Sequence, residues 1–351
     1  MAQVETIIFR EKNLRQWCAN VLTKCCEVKE DYANAVTDAL VSSNLRGVDT
    51  HGINLLQYYV RRYKNIKHSD IQVTGDMPAL CHVNGGGHMG PAVSVFAMNK
   101  AMEKAAVTGV GMAFVEDSGH FAATGYYTNL AAKKGFIGFA TTVAGLTMTP
   151  WGGLAKYMGN NPISISFPWK EFPIVLDIAQ SVTSGNKVRN YARENLPLAD
   201  GWGTDSEGVP TTDAQKVLNG GFLQPIAGYK GVGIAMMVEI IVGTLTHGGY
   251  ATQMIPNVDS SGHQNVSHMF SAIKPDCFMT KDEVEKTLGK FVDGFRAVKR
   301  MKNVEKLLLP GELEYRCEQE RRKNGIPLSR ALVAELNKFA AEVGAEEMPS
   351  S

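Results

Sequence analysis

Two histidines stand where polar turns meet regular segments, His51 in RGVDTHG and His120 in VEDSGHFAATGYY. An imidazole that titrates near neutrality is the natural carrier for the proton exchanged when an alcohol and a ketone interconvert. Each would serve equally well as a hydrogen-bonded core histidine, and the residues alone leave that choice open. The remaining histidines have no motif around them. No two histidines lie four apart with an acid between, so a zinc site is not expected. Arg46, five residues before His51, could clamp a carboxylate with its planar fork or face the end of a helix dipole. Lys187 in SVTSGNKV and Lys230 in PIAGYKGVG precede apolar helical patterns. Helix N-terminal amides with a lysine beside them suit a dinucleotide phosphate, and a solvated lysine is the plain alternative.

The stretch CHVNGGGHMGPA, residues 81–92, satisfies G-x-G-x-x-G through Gly85, Gly87 and Gly90. A Rossmann unit needs an acid about 20 residues further on to hold the ribose. Glu116 and Asp117 arrive 31 and 32 residues after Gly85, and a chain with 35 glycines meets the pattern readily by chance. A tight turn that needs glycine for positive φ is the simpler reading.

The elements that must position these side chains follow from periodicity. Leu14, Trp17, Cys18, Val21, Leu22 and Cys25 fall on one helical face, a second helix fits residues 32–45, and a third fits residues 53–65. RGVDTHG is the turn between the last two. From residue 71 the texture changes to short β-like runs (IQVTG, ALCHVN, GVGMAFVED, GFIGFATTV, NPISISFP, PIVLDIA) with one clear helix, residues 92–107. The apolar run at 231–245 is too short for a membrane span and carries Glu239, so it reads as a buried helix. Thr280 and Glu283 form a capping box ahead of Val284, Leu288, Phe291, Val292 and Phe295, and two more helices follow. The expectation is an α+β fold. A sheet domain at 71–279 is inserted in a helical domain made of residues 1–70 and 280–351.

With 36 basic against 35 acidic residues, nothing in the charge favours a nucleic-acid partner. The six cysteines make no zinc or disulfide spacing, and Glu5, Arg10, Glu11 and Lys12 interrupt any signal-peptide core. A soluble cytoplasmic protein is expected, without membrane partners.

In order, RGVDTHG, DSGHFAATGYY, PWGG with GNNPI, LDIAQSVTSGNKV, GWGTDSEGVPTTD, AGYKGVGIAMMVEI and LPGELE resemble the type-2 malate/L-lactate dehydrogenase family, which includes ureidoglycolate and sulfolactate dehydrogenases. The resemblance spans about residues 10–330. It implies hydride transfer between a nicotinamide cofactor and a small 2-hydroxy acid, malate first, on a fold that is not Rossmann. It also implies a homodimer. NAD is expected ahead of NADP. By the same resemblance, Asp177, Ile178, Ala179, Lys187, Lys230, Gly231, Gly311, Glu312 and Leu313 would bind the cofactor, and His51 or His120 would carry the proton. Arg46 and Ala144 would contact substrate. Leu55 stands where many members carry arginine, Ala144 where some carry serine, and Ala122 where H-F-G is usual. A lactate-, sulfolactate- or ureidoglycolate-specific enzyme, or a nucleotide-binding protein without chemistry, is the alternative, the ureidoglycolate type being disfavoured by Ala144.

Overall fold

The computed structural model describes residues 5–254 and 264–349, so His263 lies outside the described residues. After β1 (Thr6–Phe9), the helical faces read from periodicity form α1 (Glu11–Cys26) and α2 (Glu30–Leu45), which bury Leu14, Trp17, Val21, Leu22, Val36 and Leu40. The third helix, α3 (Leu56–Tyr63), starts three residues later than its pattern suggests. Asn44 is the reason. Its Oδ1 accepts from Ile53 N–H at 2.7 Å and its Nδ2 donates to Asp49 at 2.6 Å. Two short 3-10 turns, Asp49–His51 and Ile53–Leu55, are therefore wound around one side chain.

The next part of the chain runs β2 (Gln72–Asp76), β3 (Leu80–Asn84), α4 (Gly90–Thr108), β4 (Val110–Ser118), α5 (Thr124–Lys133) and β5 (Ile137–Thr142). Then come β6 (Leu146–Met148), β7 (Met158–Gly159), β8 (Ile163–Phe167), β9 (Ile174–Ile178) and α6 (Gly185–Arg193). A small excursion adds β10 (Gly203–Thr204), β11 (Pro210–Thr211), α7 (Ala214–Leu218) and β12 (Phe222–Leu223) before α8 (Tyr229–Val238) and β13 (Val266–Ile273). The chain closes through α9 (Lys281–Ala297), α10 (Glu312–Asn324), β14 (Ile326–Ser329) and α11 (Arg330–Glu342).

Seven strands form one sheet in the order β2-β3-β4-β13-β5-β8-β9, and every neighbouring pair except β3–β4 is antiparallel. The glycine turn ties the parallel pair together. Gly85 N–H donates to the Glu116 carbonyl at 2.9 Å and Gly87 N–H to that of Asp117 at 3.0 Å, while Gly86 and Gly87 take positive φ (59° and 73°). Those two amides are consumed inside the sheet.

Three features depart from the pattern read in the sequence. The central strand β13 was not marked by alternation, because Val266 to Ala272 are all buried and include Ser267, His268 and Ser271. The apolar run at 231–245 is not a buried helix. Gly231, Val232, Ala235, Val238 and Val242 face inward, whereas Ile234, Met236, Met237, Ile240, Ile241 and Leu245 are exposed. The capping box of α9 forms as expected, with Thr280 N–H on the Glu283 carboxylate at 2.8 Å, but of its apolar residues only Val292 is fully buried. That helix packs on Phe172, Ile174 and Leu309 at the β9 edge.

The two ends of the chain meet. β1 pairs with β14, and Ile326, Leu328, Val333, Leu336 and Phe339 share one core with α1, α2 and α3. Tyr32, Ala35 and Ala39 of α2 also pack into the core under the sheet, which sets the first helices directly against it.

Candidate active site

The 3-10 turn after α2 and the loop after β4 bring His51 and His120 together. Their rings stack with centroids 6.1 Å apart and planes 12° from parallel. Both line a cavity of about 270 Å³ with Thr50, Thr142, Ala144, Asn160, Asp177, Ala179, Asn186 and Arg189, closed on its apolar side by Val143, Met254 and Val266. This volume suits a small ligand or one ring with a short acid beside it.

Burial holds both imidazoles neutral. It brings His51 down to about 4 and His120 to about 3, where the charges of His51, His268, Arg62 and Arg189 also oppose protonation. His51 Nδ1 lies 3.0 Å from Thr50 Oγ1. His120 is held by Tyr59, whose hydroxyl lies 2.9 Å from the His120 carbonyl and 3.1 Å from its Nδ1. A phenol has one proton, and the carbonyl can only accept. The two Tyr59 contacts are satisfied together when Tyr59 donates to the carbonyl and Nδ1–H donates to the Tyr59 oxygen, at the expense of the longer 3.4 Å contact from Ala122 N–H to Nδ1. That tautomer leaves Nε2 of His120 with a free lone pair.

A second cavity of about 540 Å³ adjoins the first, and Val48, Ala123 and Asp177 line both. Its walls are Ser42, Ser43 and Arg46 of the first helices, Gly125 and Tyr126 of α5, Val175 and Leu176 of β9, and Leu309, Gly311, Leu313 and Glu314 of the final segment. Asp177 accepts Gly125 N–H at 2.7 Å, and the protein around it raises its carboxyl to about 6. Gly311 takes φ 82°, and a Cβ there would come within 3.1 Å of the Val175 backbone, so glycine is needed for this turn to close on β9.

Of the residues expected to hold a cofactor, Asp177, Ala179, Gly311 and Leu313 line these two cavities, and Ile178 lies between Asp177 and Ala179 on the same strand end. The other four sit elsewhere. Lys187 is exposed with its ammonium 4.7 Å from the Trp202 ring centroid, and Lys230 is exposed at the start of α8. Gly231 is packed against the Ile226 and Gln180 carbonyls. Glu312 is only 2 % exposed and is engaged by Lys306 at 2.6 Å, Arg316 at 2.8 Å and Leu309 N–H at 3.2 Å.

Arg46 is not brought to the histidines. It lines the second cavity and pairs with Glu318 at 3.4 Å. Ala144 lines the histidine cavity, its N–H fixed on Asn161 Oδ1 at 2.8 Å. Tyr59, Asn186 and Arg189 are contributors that sequence reading passed over. Among the described residues no group of three or more histidine, cysteine or acidic side chains is arranged to hold a metal.

The two cavities share Val48, Ala123 and Asp177, and their linings offer backbone and hydroxyl groups in the larger and two neutral imidazoles in the smaller. A family model described as malate/L-lactate dehydrogenase matches residues 9–337. The malate dehydrogenase of Pyrococcus horikoshii is 33% identical over 95% of this chain and 94% of its own length. The malate/(S)-sulfolactate dehydrogenase of Methanothermus fervidus is 33% identical over 91% of this chain and 93% of its own. The NAD(+) ureidoglycolate dehydrogenase of Escherichia coli is 27% identical, covering 82% and 84%. The crystal structure of malate dehydrogenase from Entamoeba histolytica superposes with a TM-score of 0.92 at 27% identity, covering 97% of this chain and 99% of that one.

Proposed function

This chain belongs to the malate/L-lactate dehydrogenase family and is an oxidoreductase acting on 2-hydroxy acids, and from that premise we propose that it interconverts malate and oxaloacetate with NAD(H). The names of two relatives, malate and malate/(S)-sulfolactate dehydrogenase, support a short acid with a second anionic group. The ureidoglycolate relative supports NAD ahead of NADP. Ala144, without a hydroxyl at the cavity wall, supports malate over ureidoglycolate.

A bound nicotinamide supplies the hydride in reduction and accepts it in oxidation. Asp177, Ala179, Gly311 and Leu313 would hold the dinucleotide along the second cavity. In oxidation, Nε2 of His120 takes the C2 hydroxyl proton, and in reduction it returns that proton to the carbonyl oxygen. Tyr59 fixes the tautomer. His51, stacked on His120, stays neutral, because two imidazolium ions at that separation repel strongly. An anionic acid in the cavity lifts the His120 pKa towards neutrality, where proton transfer is most effective in both directions. Val143, Met254 and Val266 make one side of the cavity apolar, which strengthens the polar contacts to the acid.

Further support concerns assembly and location. The exposed face of Ile234, Met237, Ile241 and Leu245 on α8 and its continuation is a contiguous apolar patch of the kind that marks a protein interface. A two-fold homodimer would cover it. The six free cysteines support a reducing, cytoplasmic setting.

The observation that carries the reading is the stacked histidine pair in the smaller cavity, which shares Val48, Ala123 and Asp177 with the larger one. The test is oxidation of NADH and NADPH followed by absorbance with oxaloacetate, pyruvate, sulfopyruvate and 2-oxoglutarate. Fastest turnover is expected for oxaloacetate with NADH. No turnover of any 2-oxo acid, with NADH binding shown by fluorescence, would contradict it.

A further inference from the structure

We propose that Arg189 anchors the C1 carboxylate of the substrate, an assignment that rests on the 2-oxo acid reading above. Acids of this class need a cation beside the proton carrier, to fix the C2 oxygen on the imidazole. Leu55 supplies none, since it is half-buried and packs into the core of the first helices. Arg46 is committed to Glu318 in the neighbouring cavity. Among the described residues, Arg189 is the one lysine or arginine lining the histidine cavity.

Its placement is built from α6. The Ser184 hydroxyl caps the helix by accepting Lys187 N–H at 3.2 Å, and Val188 and Ala192 root the inner face. Asn186 does two things at once. Its Nδ2 donates to the Thr50 carbonyl at 3.2 Å, tying α6 to the turn that carries His51, and its Oδ1 accepts from Arg189 Nη1 at 2.6 Å. Arg189 forms no ion pair with a carboxylate among the described residues, so most of its planar fork remains available to an incoming anion.

Asp177 lines the same cavity, but it makes no ion pair with Arg189 among the described residues. Lys156 is pulled below the ordinary lysine range by burial and by the Arg189 charge, and it too has no acidic partner among the described residues. The mutual opposition of these two cations is relieved by a carboxylate bound at Arg189, and two parallel N–H···O contacts fit the guanidinium.

The test compares wild type, Arg189→Gln and Arg189→Lys on oxaloacetate, pyruvate and pyruvamide, the last being the uncharged counterpart of pyruvate. NADH affinity is measured separately by fluorescence. Arg189→Gln should lower kcat/KM for both acids on the order of 100-fold, mainly through KM, and leave pyruvamide and the NADH Kd within about twofold. Arg189→Lys should recover about a tenth of the loss or more, as a point charge without the fork. Equal losses on pyruvate and pyruvamide would overturn the assignment. So would a loss confined to oxaloacetate, which would put Arg189 on the distal acid group, or a loss in NADH affinity, which would put it on a cofactor phosphate. If wild type reduces none of the three while binding NADH, the 2-oxo acid reading itself fails; if wild type is active and Arg189→Gln matches it, only this assignment does.

Discussion

Tyr59 has one hydroxyl proton and two neighbours, and that shortage decides what His120 can do. With Nδ1–H turned to Tyr59, as proposed, Nε2 would be a base in the empty enzyme even in mildly acidic solution. Substituting His120→Ala should lower kcat by about 10² to 10⁴, the usual worth of a general base, with NADH affinity unchanged. If the variant kept wild-type turnover, His51 would be the carrier. The pH dependence separates the groups further. Desolvation by the surrounding protein raises Asp177 to about 6 and lowers the histidines to about 3 and 4. In Asp177→Asn, kcat/KM for oxidation should therefore stay flat from about pH 8 to about pH 5, since this parameter reports the free enzyme. An acid limb near pH 6.5 in that variant would show an ordinary exposed histidine at work. His51 and His120 were legible in sequence because each sits in a short polar turn between apolar segments. Arg189 was not, since an arginine on a polar helix face looks the same whether it meets solvent or a cavity. Lys187 and Lys230 stand exposed in the first turns of α6 and α8, where the glycines around them accompany helix starts.

β13 shows how a central strand escapes detection and what its polar residues cost. His268 is fully buried, with Nδ1 2.7 Å from Thr142 Oγ1, Nε2 2.9 Å from Ser118 Oγ and its ring stacked on Phe121 at 4.6 Å. These partners remove the penalty of burying it neutral, and they also erase the alternation by which an edge strand is recognised. Burial brings this histidine down to about 3. Its folded pKa is thus below its unfolded value, so the unfolded chain binds more protons between them. Stability is complete above about pH 6.5 and is lost as pH falls towards the folded value, by up to about 1.4 kcal/mol per pH unit. Urea unfolding across that window should show a shallower acid loss for His268→Gln than for wild type. An unchanged slope would assign the acid sensitivity to other groups. α8 escaped differently. Its run is apolar on all sides, and periodicity cannot say whether a face without polar residues meets the protein's own core or another chain.

For the molecule as a whole, the helical faces and most of the sheet strands were readable, because each carried its own periodicity. The pairing of β1 with β14, the place of β13 and the two adjoining cavities were not, because each depends on segments far apart in the chain. The proposed homodimer gives a further expectation. Light scattering should find the wild type as a dimer and the double variant Met237→Lys, Ile241→Lys as a monomer, since each lysine would place a charge in a dry interface. A monomeric wild type would contradict the homodimer. The measurement that tests the central claim most directly is single-turnover reduction of oxaloacetate by NADH deuterated on the transferred C4 position, in wild type and in His120→Ala. The expected result is deuterium at C2 of the malate formed by wild type, and transfer slowed by at least about 100-fold in a variant that still binds NADH. Absence of label at C2, or transfer at the wild-type rate without the imidazole, would contradict it.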